Sequence, residues 1–348
     1  MDKRKGLPKV FIFGWPSFVG GADTKLHHLL VLLRGHCEIT VVPTWPRQLH
    51  QKLWTDIMDE LGVKYCRFDH LPDKLEGVGF GMCNPRFFKG GIARRAKEKG
   101  LRIIWSSEMM WHFEGELDAF KEGLVDHVLY VSDFQREALA PGAGKIPGAI
   151  TGNYIDPGYF PMRQRDPRRL VIGRLSRPDP DKFPEDFPVF YECLDLKDVR
   201  FRVMAWSPQL AAKYRWHHFD HRWDLLRTKQ EPQADFLQSL DLFVYPLGHR
   251  FRESWGRATV EAMLTGCIPL VPRGHFFESL IEHEKSGFLC AEFADYQKYA
   301  RMLAEDPALR GSVSRQCRHH AEKELCDREK HRQLWMQVFA PAGDAAAN

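Results

Sequence analysis

A length of 348 residues allows about two domains, and a hydrophobic content of 44% is enough for ordinary cores. The formal net charge of +4 is too small to indicate nucleic acid as the main partner. Eight cysteines without a C-x-x-C pair predict reduced thiols and a cytoplasmic location, and no apolar run approaches the roughly 20 residues that span a bilayer.

Short apolar runs alternate with amphipathic stretches along the whole chain, which predicts two doubly wound α/β sheets. Strands are expected at 9–14, 38–43, 63–68, 77–82, 101–107, 127–132, 170–174, 200–206, 223–226, 241–246, 268–271 and 287–290. Helices are expected at 22–34, 50–61, 88–99, 232–240 and 257–265, with a last one at about 312–339.

The segment ESWGRATVEAMLTGCIPLV (253–271) is the most informative about function. It follows the apolar strand DLFVYP, and Gly256 marks the turn into a helix that ends before Gly266. Glu253 is therefore expected at the carboxyl end of a strand, where open α/β sheets bind ligands, and Glu261 about two turns into the helix.

The chemistry of this segment suits a phosphate flanked by two sugar rings. Each glutamate can accept two hydrogen bonds from a vicinal diol, and eight residues of helix span at most about 12 Å. The amides near Ser254, Trp255 and Gly256 open a helix whose N-terminus attracts phosphate.

The whole segment resembles the E-x7-E signature of retaining glycosyltransferases of the GT-B fold, in particular glycosyltransferase family 4, the group 1 glycosyltransferases. The resemblance implies two Rossmann-like domains that face each other across a cleft. It also implies that Glu253 holds hydroxyls of the donor sugar and that Glu261 holds the ribose diol.

Further matches extend the resemblance over nearly the whole chain. KVFIFG followed by Gly20 and Gly21 is similar to the first strand and the glycine loop that gives the donor diphosphate room. GNYIDPGYF (152–160) is similar to the interdomain crossover. The domains are therefore expected at 1–158 and 159–319, with a helix at about 320–340 that crosses back to the first domain.

The second half of the chain supplies cations suited to a diphosphate. LVIGRLSRPDPDKF (170–183) resembles the G-R-L…K pattern of the family, which implies that Arg174 and Lys182 hold the donor phosphates. Thr228 falls where related enzymes cradle the nucleotide base.

The chain departs from the family pattern in the first half. The family often has a histidine near the donor sugar, whereas this chain has Glu108 there and His112 four residues later. Glu108 is interpreted as a group that orients the acceptor or takes its proton, with a structural role as the alternative.

Asp179 and Asp181 form a D-x-D pair, which is a metal-binding signature of another glycosyltransferase fold. Prolines stiffen this loop, and nearby cations already suit phosphate, so no metal site and no cofactor are expected. The nucleotide diphosphate sugar would act as a co-substrate.

These features together predict a retaining, metal-independent glycosyltransferase of hexosyl type. Its partners would be a nucleotide sugar donor and a glycan, lipid-linked or protein acceptor, with no nucleic acid. A nucleotide-sugar epimerase or hydrolase of the same fold, and a non-enzymatic nucleotide-sugar-binding subunit, are the alternatives.

The N-terminal sequence MDKRKGLPK lacks the apolar core of a secretory leader. Its cations Lys3, Arg4, Lys5 and Lys9 suit either a solvated tail or a weak peripheral contact with anionic lipid.

Overall fold

The computed structural model describes residues 6–17 and 21–340. The chain divides into two compact units, of which the first runs to Asp156 and resumes at Arg328, and the second is Pro157–Asp327. Gly20, Lys3, Arg4 and Lys5 lie outside the described residues. Within those residues, no helix has the length and hydrophobicity needed to cross a bilayer.

The first unit is built on seven strands, β1 (Lys9–Phe13), β2 (Glu38–Val42), β3 (Lys64–Tyr65), β4 (Val78–Met82), β5 (Arg102–Ser106), β6 (His127–Tyr130) and β7 (Gly148–Ile150). Its helices before the crossover are α1 (Gly21–Leu33), α2 (Lys52–Leu61), α3 (Arg86–Lys89), α4 (Ile92–Glu98), α5 (Glu116–Lys121) and α6 (Asp133–Ala143). The strands are all parallel, in the order β3-β2-β1-β4-β5-β6-β7.

Both faces of this sheet are buried, as its continuous apolar strands predict. In β5, Ile104 packs into one hydrophobic cluster, while Ile103 and Trp105 pack into a second cluster. The strand order reverses between β1 and β4, which places a ligand-binding crevice of the open-sheet type at their carboxyl ends.

The second unit contains the strands β8 (Leu170–Leu175), β9 (Val199–Met204), β10 (Trp223–Leu226), β11 (Leu242–Val244), β12 (Ile268–Pro272) and β13 (Phe288–Cys290). Its helices are α7 (Phe187–Glu192), α8 (Pro208–Lys213), α9 (Gln233–Gln238), α10 (Arg257–Leu264), α11 (Phe277–Leu280), α12 (Phe293–Glu305) and α13 (Pro307–His320). The parallel order β10-β9-β8-β11-β12-β13 has its reversal between β8 and β11.

The last helix, α14 (Arg328–Phe339), belongs to the first unit. Its Trp335 and Phe339 rings lie 5.5 and 5.8 Å from the ring of Phe80 in β4. Burial of these two aromatic side chains anchors α14 on the sheet.

All twelve expected strands are present, and the two-sheet α/β class is confirmed. The sequence patterns missed the short strand β7 and the helices α5, α7, α8, α11 and α12. The stretch 88–99 is two helices because Gly91 adopts a left-handed φ of 64° between them. The stretch 312–339 is likewise interrupted, by a π-helical turn at Ala321–Leu325.

Candidate functional site

A buried cation, a phenol and a carboxylate meet at the β8/β11 reversal of the second unit. Lys182 ends a short 3-10 turn after β8, Tyr245 directly follows β11, and Glu253 lies in the loop before α10. Lys182 Nζ donates to Glu253 Oε2 at 3.1 Å and to the Tyr245 hydroxyl at 3.4 Å, and that hydroxyl donates to Glu253 Oε2 at 3.3 Å. We call these three residues the Lys182 cluster.

The electrostatics of the cluster keep its cation charged. Burial, the largest single effect, lowers the pKa of Lys182, but Glu253 and Tyr245 together raise it by more, so the pKa lies above its ordinary value. The ammonium group also lies 4.5 Å from the Phe251 ring centroid. Lys182 is thus a protonated, largely desolvated cation, which attracts an anion more strongly than an exposed lysine does.

Arg174, in β8, is fully buried behind this cluster. Its Nη1 donates to the Pro246 main-chain oxygen at 2.8 Å and its Nη2 to the Lys182 main-chain oxygen at 3.2 Å. The guanidinium lies 3.9 Å from the ring centroid of Phe183. Arg174 therefore fastens the loop after β8 to the loop after β11 and positions Lys182, while direct contact with phosphate stays a prediction.

Glu261 is buried in α10 and has two side-chain partners. Its Oε1 lies 2.9 Å from Arg257 Nε, and its Oε2 accepts a hydrogen bond from Gln233 Nε2. Burial raises the pKa of Glu261, against the opposing effects of Arg257 and Gln233. The glutamate that the sequence assigns to a ribose is thus held by one cation and one amide.

The sequence patterns missed Arg257, the first residue of α10. Its three guanidinium nitrogens are buried, and none makes a well-formed hydrogen bond within the described part of the chain. The contact with Glu261 is close enough for an ion pair, but the N–H is not aimed at the oxygen. A buried guanidinium with unused donors is costly unless an anion satisfies it. The sequence signal that could have identified Arg257 is its position four residues before Glu261, because side chains at this spacing are neighbours on a helix.

The start of α10 has the backbone geometry expected of a turn into a helix. Gly256 has a φ of 84°, and a Cβ at this position would lie 2.9 Å from the Phe277 ring, so a side chain is excluded. Trp255 is buried, Ser254 is half-buried, and Thr228 is exposed just beyond the end of β10.

The first unit contains a second buried ion pair. Lys25, in α1, donates through Nζ to Glu108 Oε1 at 2.9 Å and to the Gly152 main-chain oxygen at 3.0 Å. Ser106 Oγ, at the end of β5, donates to the same carboxylate oxygen at 2.9 Å. The sequence identified Glu108 but not Lys25, whose partner lies 83 positions away. Gly21 is the exposed first residue of α1.

His112 has a local structural partner. Its Nδ1 lies 2.9 Å from Glu116 Oε1, and Glu116 Oε2 accepts a hydrogen bond from the Phe113 amide. The ring therefore orders the loop before α5.

The D-x-D pair forms a local turn. Asp179 Oδ1 accepts a hydrogen bond from the Asp181 amide at 3.1 Å. Across residues 6–17 and 21–340, no group of three or more His, Cys, Asp and Glu side chains is arranged to hold a metal ion.

Comparison with known proteins bears on the second unit most directly. Residues 225–320 match the family described as "Glycosyl transferases group 1", and this range contains Glu253, Arg257 and Glu261. No curated protein sequence matches the chain.

Solved structures resemble the chain along nearly its full length. HepE from Anabaena, in complex with UDP and glucose, has a TM-score of 0.74 and 14% identity, covering 95% of this chain and 99% of that chain. Sucrose-phosphate synthase from Thermosynechococcus elongatus has a TM-score of 0.67 and 12% identity, covering 96% and 99% respectively.

TarM from S. aureus, in complex with fondaparinux, α-GlcNAc-glycerol and UDP, has a TM-score of 0.64 and 14% identity, covering 79% of this chain and 57% of that chain. At these identities the similarities show the fold, which is GT-B with two Rossmann-like domains. The family match lies within the second unit, and the structural neighbours show the fold.

Proposed function

We propose that this protein is a retaining, metal-independent glycosyltransferase that moves a hexosyl unit from a nucleotide diphosphate sugar to an acceptor hydroxyl. The Lys182 cluster carries the proposal, because it places a desolvated cation beside a carboxylate at the strand-order reversal of the second unit. The family match over residues 225–320 supports the same chemistry.

The donor would be held by groups of complementary charge. Lys182 would contact the diphosphate and stabilise the negative charge that develops as the nucleotide diphosphate departs. Glu253 would accept hydrogen bonds from hydroxyls of the transferred sugar, and Glu261 from the ribose diol. Arg257 would donate to the phosphate or to ribose oxygens and thereby satisfy its unused N–H groups.

The configuration of the anomeric carbon is retained if the acceptor attacks from the same face as the one from which the leaving group departs. The bond from the anomeric carbon to the diphosphate oxygen breaks, the bond to the acceptor oxygen forms, and a donor phosphate oxygen takes the acceptor proton. The protein's side chains then position the reactants and stabilise charge.

The acceptor is a glycan, a lipid-linked sugar or a protein. HepE binds UDP-glucose, and TarM is seen with a glycan and UDP, which favours a UDP-sugar as the first donor and a glycan as the first acceptor to test. Residues 6–17 and 21–340 include all eight cysteines and contain no disulfide, which supports a reducing, cytoplasmic location.

The defining experiment is incubation of the purified protein with a panel of UDP- and GDP-hexoses, in excess chelator, with and without sugar acceptors. Slow donor hydrolysis and a new glycoside with the donor's anomeric configuration are expected. Inversion would contradict retention, and activity restored only by magnesium or manganese would contradict metal independence.

The same experiment separates the alternatives. A donor that is recovered as its epimer, with solvent hydrogen incorporated at the inverted carbon, would identify an epimerase. Donor binding without turnover of any nucleotide sugar would identify a binding subunit.

A further inference from the structure

The first unit contains an open cavity of about 690 Å³ on one face of its sheet, near the β3 edge. Strand register pairs Phe11 with Thr40 and Thr40 with Lys64, so these three side chains form one row across β1, β2 and β3. All three line the cavity. Phe11 and Thr40 are half-buried and Lys64 is exposed, so this part of the sheet face is accessible to a ligand.

The cavity exists because the connection from β3 to β4 contains no α-helix. Residues 66–77 form one 3-10 turn, Phe68–His70, and are otherwise irregular. Next to β4, β5 and β6, the same hydrophobic cluster is covered by α4 and α6, which contribute Ile92 and Leu139. Each cavity-lining residue in the part of the chain that the structure describes belongs to β1, β2, β3 or the connection. The space that a crossover helix would fill is therefore left open.

Positive charge surrounds this cavity. Lys9, Lys64 and Lys74 line it, and all three are exposed. Within the described residues, none of these lysines lies within ion-pair distance of a carboxylate. Glu76 is the one acidic side chain among the described residues that line the cavity. The excess of unpaired lysines favours an anion over a cation or a neutral ligand.

The rest of the wall is apolar. Leu71 is a buried member of the hydrophobic cluster, and Phe11 and Leu75 pack against that cluster while staying half-exposed. A bare inorganic anion would leave this apolar surface in water, and a purely apolar molecule would leave the lysines without partners. The volume lies within the range of small-molecule sites, roughly 300–1,000 Å³. The cavity therefore suits one molecule that has both an anionic and an apolar part.

We infer that this cavity binds a small organic phosphate, with the phosphate among the three lysines and an apolar ring against Phe11, Leu71 and Leu75. A phosphate monoester carries about 1.5 to 2 negative charges at neutral pH, which matches three lysines offset by one glutamate. The cavity lies in the first unit and the Lys182 cluster in the second, so this ligand is additional to the nucleotide sugar of the proposed function.

The test is calorimetric titration of the whole protein with 1-naphthyl phosphate, which joins a phosphate monoester to a flat apolar ring. Inorganic phosphate lacks the ring, and 1-naphthol lacks the charge. Naphthyl phosphate should bind saturably, and each of the other two probes should bind at least roughly tenfold more weakly, the scale of losing one net favourable contact. Affinity for naphthyl phosphate should also decrease as salt is added, because salt screens exposed lysines.

Substitutions of the lining charges locate the ligand. Lys64→Gln should weaken naphthyl phosphate roughly threefold to tenfold, and Lys9→Gln, Lys64→Gln and Lys74→Gln combined should abolish measurable binding. Because these lysines are exposed, the melting temperature should stay near that of the wild type. Glu76→Gln should strengthen binding about twofold to threefold. Lys145→Gln is the matched control, at an exposed lysine of the same unit that does not line the cavity.

Three results would overturn the inference. One is wild-type affinity in the triple variant, and another is binding of inorganic phosphate or 1-naphthol as tight as that of naphthyl phosphate. The third is displacement of naphthyl phosphate by excess UDP, because the phosphate would then occupy the nucleotide site. Co-sedimentation with phosphatidic acid vesicles by a protein that does not bind naphthyl phosphate would indicate a membrane surface and would also overturn it. The readout is binding alone, so the proposed transferase activity stands or falls separately.

Discussion

Lys182 Nζ and Glu253 Oε2 lie 3.1 Å apart, although the two residues are 71 positions apart in the chain. Both side chains are largely buried, with exposed fractions of 8% and 13%. The pair holds in one place the cation that we propose contacts the phosphate and the carboxylate that we propose contacts the sugar.

Lys182→Met should lower turnover by roughly 100-fold or more, because one charge-stabilising contact to the departing diphosphate is lost. Initial-rate kinetics with the nucleotide sugar measure this. Lys285→Met, on an exposed lysine of the same unit, is the control and should behave as wild type. Wild-type turnover in Lys182→Met would remove Lys182 from the mechanism.

Arg174→Met separates a positioning role from direct phosphate binding. Since its guanidinium donates to the main-chain oxygens of Lys182 and Pro246, its loss should lower both thermal stability and turnover. Each buried carbonyl oxygen that is left without its hydrogen bond lowers the free energy of unfolding by about 1–3 kcal/mol. A loss of diphosphate affinity at unchanged melting temperature would instead show that Arg174 contacts phosphate directly.

The two glutamates should respond differently to amide substitution. Glu261→Gln should weaken the full donor and free UDP alike, by about 1.5–3 kcal/mol, because the ribose is present in both ligands. Glu253→Gln should leave UDP affinity nearly unchanged and lower turnover, because its partner is the transferred sugar. Calorimetric titration of both variants with UDP, together with initial-rate kinetics, tests this prediction. An equal loss of UDP affinity in both variants would refute the assignment of Glu261 to the ribose and Glu253 to the transferred sugar.

Arg257→Lys keeps the positive charge but removes the planar fork of donors. UDP affinity should fall by roughly tenfold or more, the scale of a hydrogen bond to a charged group. Arg273→Lys, at a half-exposed arginine of the same unit, is the matched control and should not change UDP affinity. Unchanged affinity in Arg257→Lys would mean that its guanidinium serves Glu261 alone.

The raised pKa of Glu261 predicts a pH dependence of nucleotide binding. As the pH falls through this raised pKa, the carboxylate takes up a proton and becomes a poorer acceptor for the ribose diol. UDP affinity of the wild type should therefore decrease on acidification more steeply than that of Glu261→Gln, and ionisation of the UDP phosphate cancels in the comparison. Parallel pH profiles for the two proteins would contradict this prediction.

The order of the main strands was readable from the sequence, because buried parallel strands are continuous apolar runs, and so were those intervening helices that are clearly amphipathic. Glu253, Gly256 and Glu261 were readable too, since all three lie within one local β-α unit with fixed spacing. Short elements such as β7 were not, since three residues carry too little periodicity.

Tertiary structure alone decided which side chains meet. Arg174 contacts Pro246, which lies 72 positions further along the chain, and Lys25 pairs with Glu108, which lies 83 positions further. No local sequence pattern encodes such contacts. The local sequence determines helices and strands through backbone preferences and hydrophobic periodicity. The chemistry of a charged side chain depends on its desolvation and on partners that are distant in the sequence, and both arise only when the sheet is assembled.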